Sequence, residues 1–174
     1  VMCRTMSSEQ VKILLRGIVQ GIGFRPFVYR MAIANNIKGY VRNRMDACVE
    51  IVASGTKKDV QNFIAALKSK KPPLAQIYDM RVEPVAGKKF SDFQILQSSG
   101  ESELSGSVIP PDIAVCPDCL AELRDPENRR HDYFFITCTD CGPRYTTIEM
   151  LPYDRHNTTM VDFPMCSECR REYE

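Results

Sequence analysis

Six of the eight cysteines fall into Cys-x-x-Cys pairs: Cys116/Cys119, Cys138/Cys141 and Cys166/Cys169. Two thiolates at that spacing can grip one edge of a tetrahedral Zn2+, and the eighteen residues between Cys119 and Cys138 fit a four-cysteine zinc unit. The chemistry expected of such a unit is structural, with no coordination position left open for a substrate. A second constellation lies upstream, in the run Gly17-Ile18-Val19-Gln20-Gly21-Ile22-Gly23-Phe24-Arg25. Gly21 and Gly23 permit positive φ, so successive backbone N–H groups can converge on an anion, and a helix starting there adds its positive end. Arg25 would supply a planar fork matched to two phosphate oxygens, which a lysine does not reproduce. Taken alone, the run also suits a tight strand-to-helix turn with a solvent-exposed arginine, and spacing does not separate the two.

Disulfides and redox chemistry are the rival readings of the cysteines. Disulfides need an oxidising compartment, and residues 1–17 carry no basic start followed by an apolar core, so a cytoplasmic setting is expected. A thioredoxin-like pair would need a strand-to-helix context, and several pairs in series argue against it. Zinc is the expected cofactor.

These groups need a scaffold, and hydrophobic periodicity outlines one. Val11, Ile13 and Leu15 alternate with mostly polar neighbours and predict a strand. Residues 25–36 carry Phe27, Val28, Met31 and Ala32 at helical spacing, with Pro26 in the first turn, where its missing N–H is no loss. Residues 39–43 and 47–54 read as two strands joined by the turn Arg44-Met45-Asp46. A helix over 57–69 aligns Val60, Phe63, Ile64 and Leu67, and further strands are predicted at 77–83 and 90–97. The order β-α-β-β-α-β predicts an α+β ferredoxin-like sandwich, a four-stranded antiparallel sheet with two helices on one face. The pattern leaves open whether residues 90–97 add a strand beyond that count.

Residues 98–111, rich in Ser, Gly and Glu and closed by Pro110-Pro111, read as a solvated linker. The expected organisation is a first domain over 1–97, the linker over 98–111 and a zinc-finger domain over 112–174. With 23 Lys and Arg against 22 Asp and Glu, the net charge of +1 gives no electrostatic case for nucleic acid or a membrane surface. No apolar run approaches the length of about 20 residues that spans a bilayer, so a soluble protein is expected.

The run GIVQGIGFRPF resembles the acylphosphatase signature G-x-V-Q-G-V-x-F-R, and GYVRNRMDACVEIVASG resembles that family's second signature, G-x-V-x-N followed by a strand and a glycine. The eighteen positions from Arg25 to Asn43 also fit. The resemblance extends past the first domain, to the hydrogenase-maturation carbamoyltransferases known as the HypF family. These have an acylphosphatase domain followed by C-x2-C-x18-C-x2-C-x24-C-x2-C-x18-C-x2-C. This chain matches the pattern through its third pair, with twenty-four residues between Cys141 and Cys166. The stretches GFRPFV, PPLA, VIPPDIAVCPDCLAE, CTDCGPRYT and LPYDR agree as well.

The resemblance implies phosphoryl chemistry without a covalent intermediate. The loop Val19, Gln20, Gly21, Ile22, Gly23 and Phe24, with Arg25, would bind the phosphate of carbamoyl phosphate, and Asn43 would orient the attacking water. It also implies a downstream nucleotide-handling domain and a further domain that passes the carbamoyl group to the C-terminal cysteine of a partner protein. The sequence ends at Glu174, inside what the pattern makes a second zinc unit. The simplest expectation is one zinc on Cys116, Cys119, Cys138 and Cys141, with Cys166 and Cys169 an incomplete second site. Pairs exchanged between the two units remain an open alternative.

A reading of a different class makes the chain a non-catalytic module, whose glycine loop merely holds an anion and whose zinc unit docks a partner. Turnover separates the two. Among the remaining residues, Cys48 is expected in the core, His131 and His156 are not needed as ligands beside four cysteines, and Arg124, Arg129, Arg130 and Arg144 are expected on a solvated surface.

Overall fold

A computed structural model describes residues 8–44, 46–87, 89–99, 113–138, 141–142, 144–150 and 152–173. Strand β1 (Ser8–Ile18) turns Val11, Ile13 and Leu15 inward, all buried, as its alternation requires. Against them lie Phe24, Phe27, Val28 and Ala32 of helix α1 (Phe24–Ala34) and Val60, Phe63 and Leu67 of helix α2 (Lys57–Ser69). Burying side chains of this size contributes about 1.5–3 kcal/mol each, which makes the face shared by sheet and helices the centre of stability. Helix α2 starts where Thr56 accepts the backbone N–H of Asp59, and it runs over the residues that periodicity predicts.

Strands β2 (Lys38–Asn43), β3 (Val49–Thr56) and β4 (Gln76–Pro84) complete an antiparallel core in which β1 lies between β4 and β3, and β3 pairs with β2. A fifth strand, β5 (Phe93–Ile95), runs parallel to β2, giving the order β4-β1-β3-β2-β5. The sheet is therefore mixed and five-stranded, and the stretch predicted as a strand at 90–97 contracts to three residues. Phe93 explains why it docks at all: its ring is 3% exposed and meets Phe63 and Tyr29 edge-on or tilted.

The sheet face away from the helices is charged. Glu50 of β3 is 1% exposed, yet its carboxylate accepts from the Tyr40 hydroxyl and Arg42 Nε, each at 2.8 Å, with Lys12 and Arg44 3.5 Å away. Burial alone would raise its pKa, but hydrogen bonds from Arg42 and Tyr40 and the charges of Arg42 and Lys12 outweigh burial and hold it below the usual range.

The predicted linker falls, from residue 100 onward, outside the described residues. Beyond it, helix α3 (Pro117–Arg124) begins at Cys116, whose Sγ accepts the backbone N–H of Cys119 at 3.4 Å, with a proline in the first turn. Helix α4 (Ser167–Tyr173) repeats that start, Cys166 Sγ accepting from Cys169 N at 3.4 Å. Between them, single 3-10 turns at Tyr145–Thr147 and Arg155–Asn157 are tied by a bridge from Ile148 to Thr158. Buried Asn157 donates to the Pro152 carbonyl at 2.7 Å, which holds the segment 152–154 in place. Among the described residues no helix is long and apolar enough to cross a membrane.

Candidate functional site

The loop between β1 and α1 is anchored by what it buries: Val19, Gln20, Ile22 and Phe24 are all nearly inaccessible. Between these anchors Gly21 and Gly23 adopt φ of 75° and 66°, the left-handed region that glycine enters without steric cost. Gly23 is also the N-cap of α1, so no side chain caps the helix and its first turn holds no acidic residue. Backbone donors at a helix start without a side-chain cap suit an anion. Arg25 leaves this turn, and Asn43 comes from the end of β2.

The two side chains converge. Arg25 Nη2 and Asn43 Nδ2 donate to one acceptor, the Tyr153 carbonyl, at 3.3 and 3.4 Å. Asn43 is 1% exposed and its Oδ1 has no hydrogen-bond partner among the described residues, so it presents a buried acceptor that none of them satisfies. Arg25 Nη2 also lies 2.6 Å from Asp154 Oδ1 in an ion pair whose side chains are 13% and 12% exposed. Ser98 donates its hydroxyl to the other carboxylate oxygen of Asp154. Gln20 ties the parts together, donating to the carbonyls of Arg44 and Cys48 at 3.1 and 3.0 Å and accepting from the backbone N–H of Tyr153 at 3.3 Å.

A short step away stands the cysteine cluster. The sulfurs of Cys116, Cys119, Cys138 and Cys141 lie within 4.8 Å of one another, with Cys116 to Cys138 at 3.6 Å and Cys141 3.7 Å from both Cys119 and Cys138. Four sulfurs bound at about 2.3 Å to a tetrahedral Zn2+ would be about 3.8 Å apart, so the donor set and its spacing fit that ion. Burial raises the Cys119 thiol, and the neighbouring cysteines push it up further. At Cys141, donors from the backbone at Cys116 and Cys138 and from the Arg144 guanidinium outweigh burial and lower it. The first two pairs thus meet each other. Cys166 and Cys169 sit apart, with Arg129 Nη1 3.3 Å from Cys169 Sγ.

Comparison with known proteins adds the lineage. A family model for acylphosphatase matches residues 11–95, and one for the HypF finger matches residues 115–148. A probable carbamoyltransferase HypF from Methanocaldococcus jannaschii is 52% identical over 149 residues, 85% of this chain and 19% of the relative. The crystal structure of a full-length HypF in a phosphate- and nucleotide-bound form superposes over 98% of this chain and 22% of its own, with a TM-score of 0.87 at 44% identity. The chain belongs to the HypF family. It spans about a fifth of the length of those HypF relatives. Its first domain is also similar to free-standing acylphosphatases, such as that of Syntrophotalea carbinolica, which is 42% identical over 78 residues, 45% of this chain and 84% of that protein.

Within this HypF portion the structure brings Gln20 and Arg25 of the expected loop and Asn43 together on Tyr153, and it shows three further residues that spacing does not reveal. Tyr153 and Asp154 come from the LPYDR stretch, whose only sequence signal is its agreement with the HypF family. Arg144, expected on a solvated surface, instead donates to Cys141 Sγ at 3.3 Å and to the Ile136 carbonyl at 2.8 Å, turned toward the cluster by those acceptors. The neighbouring Arg130 pairs with Glu122 at 2.8 Å. Cys48 is buried just before β3, and burial, with the Asp46 carboxylate beside it, pushes its thiol up to about 11.

Proposed function

We propose that this chain forms the acyl-phosphate-hydrolysing part of a carbamoyltransferase that serves [NiFe] hydrogenase maturation, and that its substrate is carbamoyl phosphate. The observation that carries the reading is the meeting of Arg25 and Asn43 on one oxygen beside a glycine loop and a helix start without a side-chain cap. Loop amides from Val19 to Phe24 and the Arg25 guanidinium hold the phosphate. Asn43, through its unpartnered Oδ1, accepts a hydrogen bond from a water and sets it in line with phosphorus. The water oxygen bonds to phosphorus, the bond from phosphorus to the bridging oxygen breaks, carbamate departs with the electron pair, and the water's proton passes to a phosphate oxygen. Such transfer is driven by positioning and charge stabilisation, and with carbamate as leaving group neither residue has to be a base. The phosphate-bound form of the full-length HypF supports phosphate as the ligand.

Cys116, Cys119, Cys138 and Cys141 would hold one structural Zn2+, and Cys166 with Cys169 would be part of a second unit. Cysteines set to hold a metal rather than to pair in disulfides suit a reducing compartment, so we place the protein in the cytoplasm. The division into an acylphosphatase domain at 1–97, a linker at 98–111 and a finger domain at 112–174 follows the same reading. Carbamate would pass to further domains and finally to a partner protein's C-terminal cysteine. The reading is tested by phosphate release from carbamoyl phosphate and from a bulkier acyl phosphate. Turnover that Arg25→Ala and Asn43→Ala both abolish, with the carbamoyl substrate preferred, supports it; a folded, zinc-loaded chain without turnover refutes hydrolysis by this chain.

A further inference from the structure

The ion pair at the site joins two parts of the chain 129 residues apart, and the finger supplies half of it. An unpaired arginine is rotamer-rich and must be ordered by its ligand at the cost of affinity. Here the guanidinium is held before any ligand arrives. Asp154 takes Nη2 at 2.6 Å, Ser98 fixes the far oxygen of that carboxylate, and Gln20 and Asn157 pin the peptide unit just before Tyr153 through Tyr153 N and the Pro152 carbonyl. Nε and Nη1 take part in neither contact with the finger. The Tyr153 carbonyl does the corresponding work for Asn43. By accepting from Nδ2 it fixes the sense of the amide, which leaves Oδ1, an acceptor, as the atom presented to water.

We propose that Asp154 is a positioning residue for Arg25, so that the finger domain completes the phosphate site of the acylphosphatase domain. The inference rests on the reading of Arg25 and Asn43 as the phosphate- and water-binding pair. A carboxylate beside a phosphate-binding arginine has two opposite consequences, and their signs differ. As a positioning group it orders the guanidinium, and losing it weakens phosphate. As an occupant of the phosphate position it competes, and losing it tightens phosphate. The Ser98 contact and the pinned backbone favour the first, because a group that must leave on each binding event gains nothing from being tied on three sides.

The test is the dissociation constant of inorganic phosphate, measured by NMR titration on the zinc-loaded chain, for wild type, Asp154→Asn, Asp154→Glu and Ser98→Ala. Asp154→Asn keeps the shape and removes the charge, and phosphate affinity should fall about tenfold. Asp154→Glu should recover part of the loss, and Ser98→Ala, which frees the carboxylate without touching Arg25, should cost roughly threefold. Unchanged or tighter phosphate binding in Asp154→Asn overturns the proposal. The guanidinium signals of Arg25 form a second arm that needs no ligand. Slow rotation in wild type that Asp154→Asn abolishes supports positioning, and equal mobility in both overturns it. If wild type binds no phosphate, the functional reading fails while this second arm still decides the role of Asp154.

Discussion

A Cβ placed on Gly142 would stand 3.2 Å from Cγ2 of Ile22, so the cysteine cluster and the candidate phosphate loop touch through a glycine. Gly142 follows Cys141 directly and holds φ of 68°, while Ile22 lies between the two loop glycines and is 1% exposed. Gly142→Ala meets both the left-handed penalty and this contact, and should destabilise the chain by about 1–3 kcal/mol. Thermal melts with zinc content measured alongside check it; an unchanged melt would show that the loop yields without cost.

Removal of zinc should reach the phosphate site as well as the finger. A structural zinc supplies folding free energy to the unit it closes. A chelator should therefore lower phosphate affinity in parallel with the loss of metal, because Gly142 and Asp154 lose their support together. Titrating metal and phosphate binding in one sample checks this, and a metal-free chain that keeps full phosphate affinity would separate the two domains functionally.

Arg25→Lys should behave almost like Arg25→Ala. A lysine keeps the charge but not the planar fork that can serve a carboxylate and a phosphate at once. Turnover of carbamoyl phosphate should fall by roughly 100-fold or more in both. A lysine variant with near-wild-type kcat/KM would reduce the role of Arg25 to charge alone.

Glu50→Gln should cost about 3 kcal/mol near neutral pH, since it removes the carboxylate on which Arg42, Arg44 and Lys12 converge. Because the folded carboxyl is held below its unfolded value, its contribution is fully present above that value, about 4.3. It is lost as pH falls through the lower folded value. Denaturant melts of wild type and variant should accordingly converge in acid, and a gap that persists there would assign the effect to packing instead.

Cys48 should resist alkylation at neutral pH. Its thiol is buried and raised to about 11, so the reactive thiolate becomes populated only as pH climbs toward that value. Mass spectrometry of the folded chain under increasing pH checks the order of modification, with exposed Cys166 expected to react long before Cys48 in the same sample.

The elements that position the site were legible because they rest on short-range patterns. Alternation at Val11, Ile13 and Leu15, helical spacing at Val60, Phe63 and Leu67, and two glycines ahead of Arg25 are each satisfied within a few residues of chain. The cysteine spacing belongs to the same class, since a Cys-x-x-Cys pair sets its own local geometry at the start of α3. The brief parallel strand β5 was not settled by pattern, because three residues carry too little periodicity and Phe93 is recruited by Phe63 and Tyr29 from elsewhere in the chain.

What the sequence by itself determined was the inventory: a glycine loop, an arginine and an asparagine eighteen positions apart, and three thiol pairs. Only the tertiary structure decided which of these meet. Spacing already offered the meeting of the first two thiol pairs as its simplest expectation, but nothing in it says that Arg144 turns toward them or that Asp154 crosses 129 positions to hold Arg25. Such contacts are selected by the packing of one domain against another, where a charge finds its partner through shape and burial. Chain separation sets the entropy of closing the loop but not the identity of the residue that waits at its end.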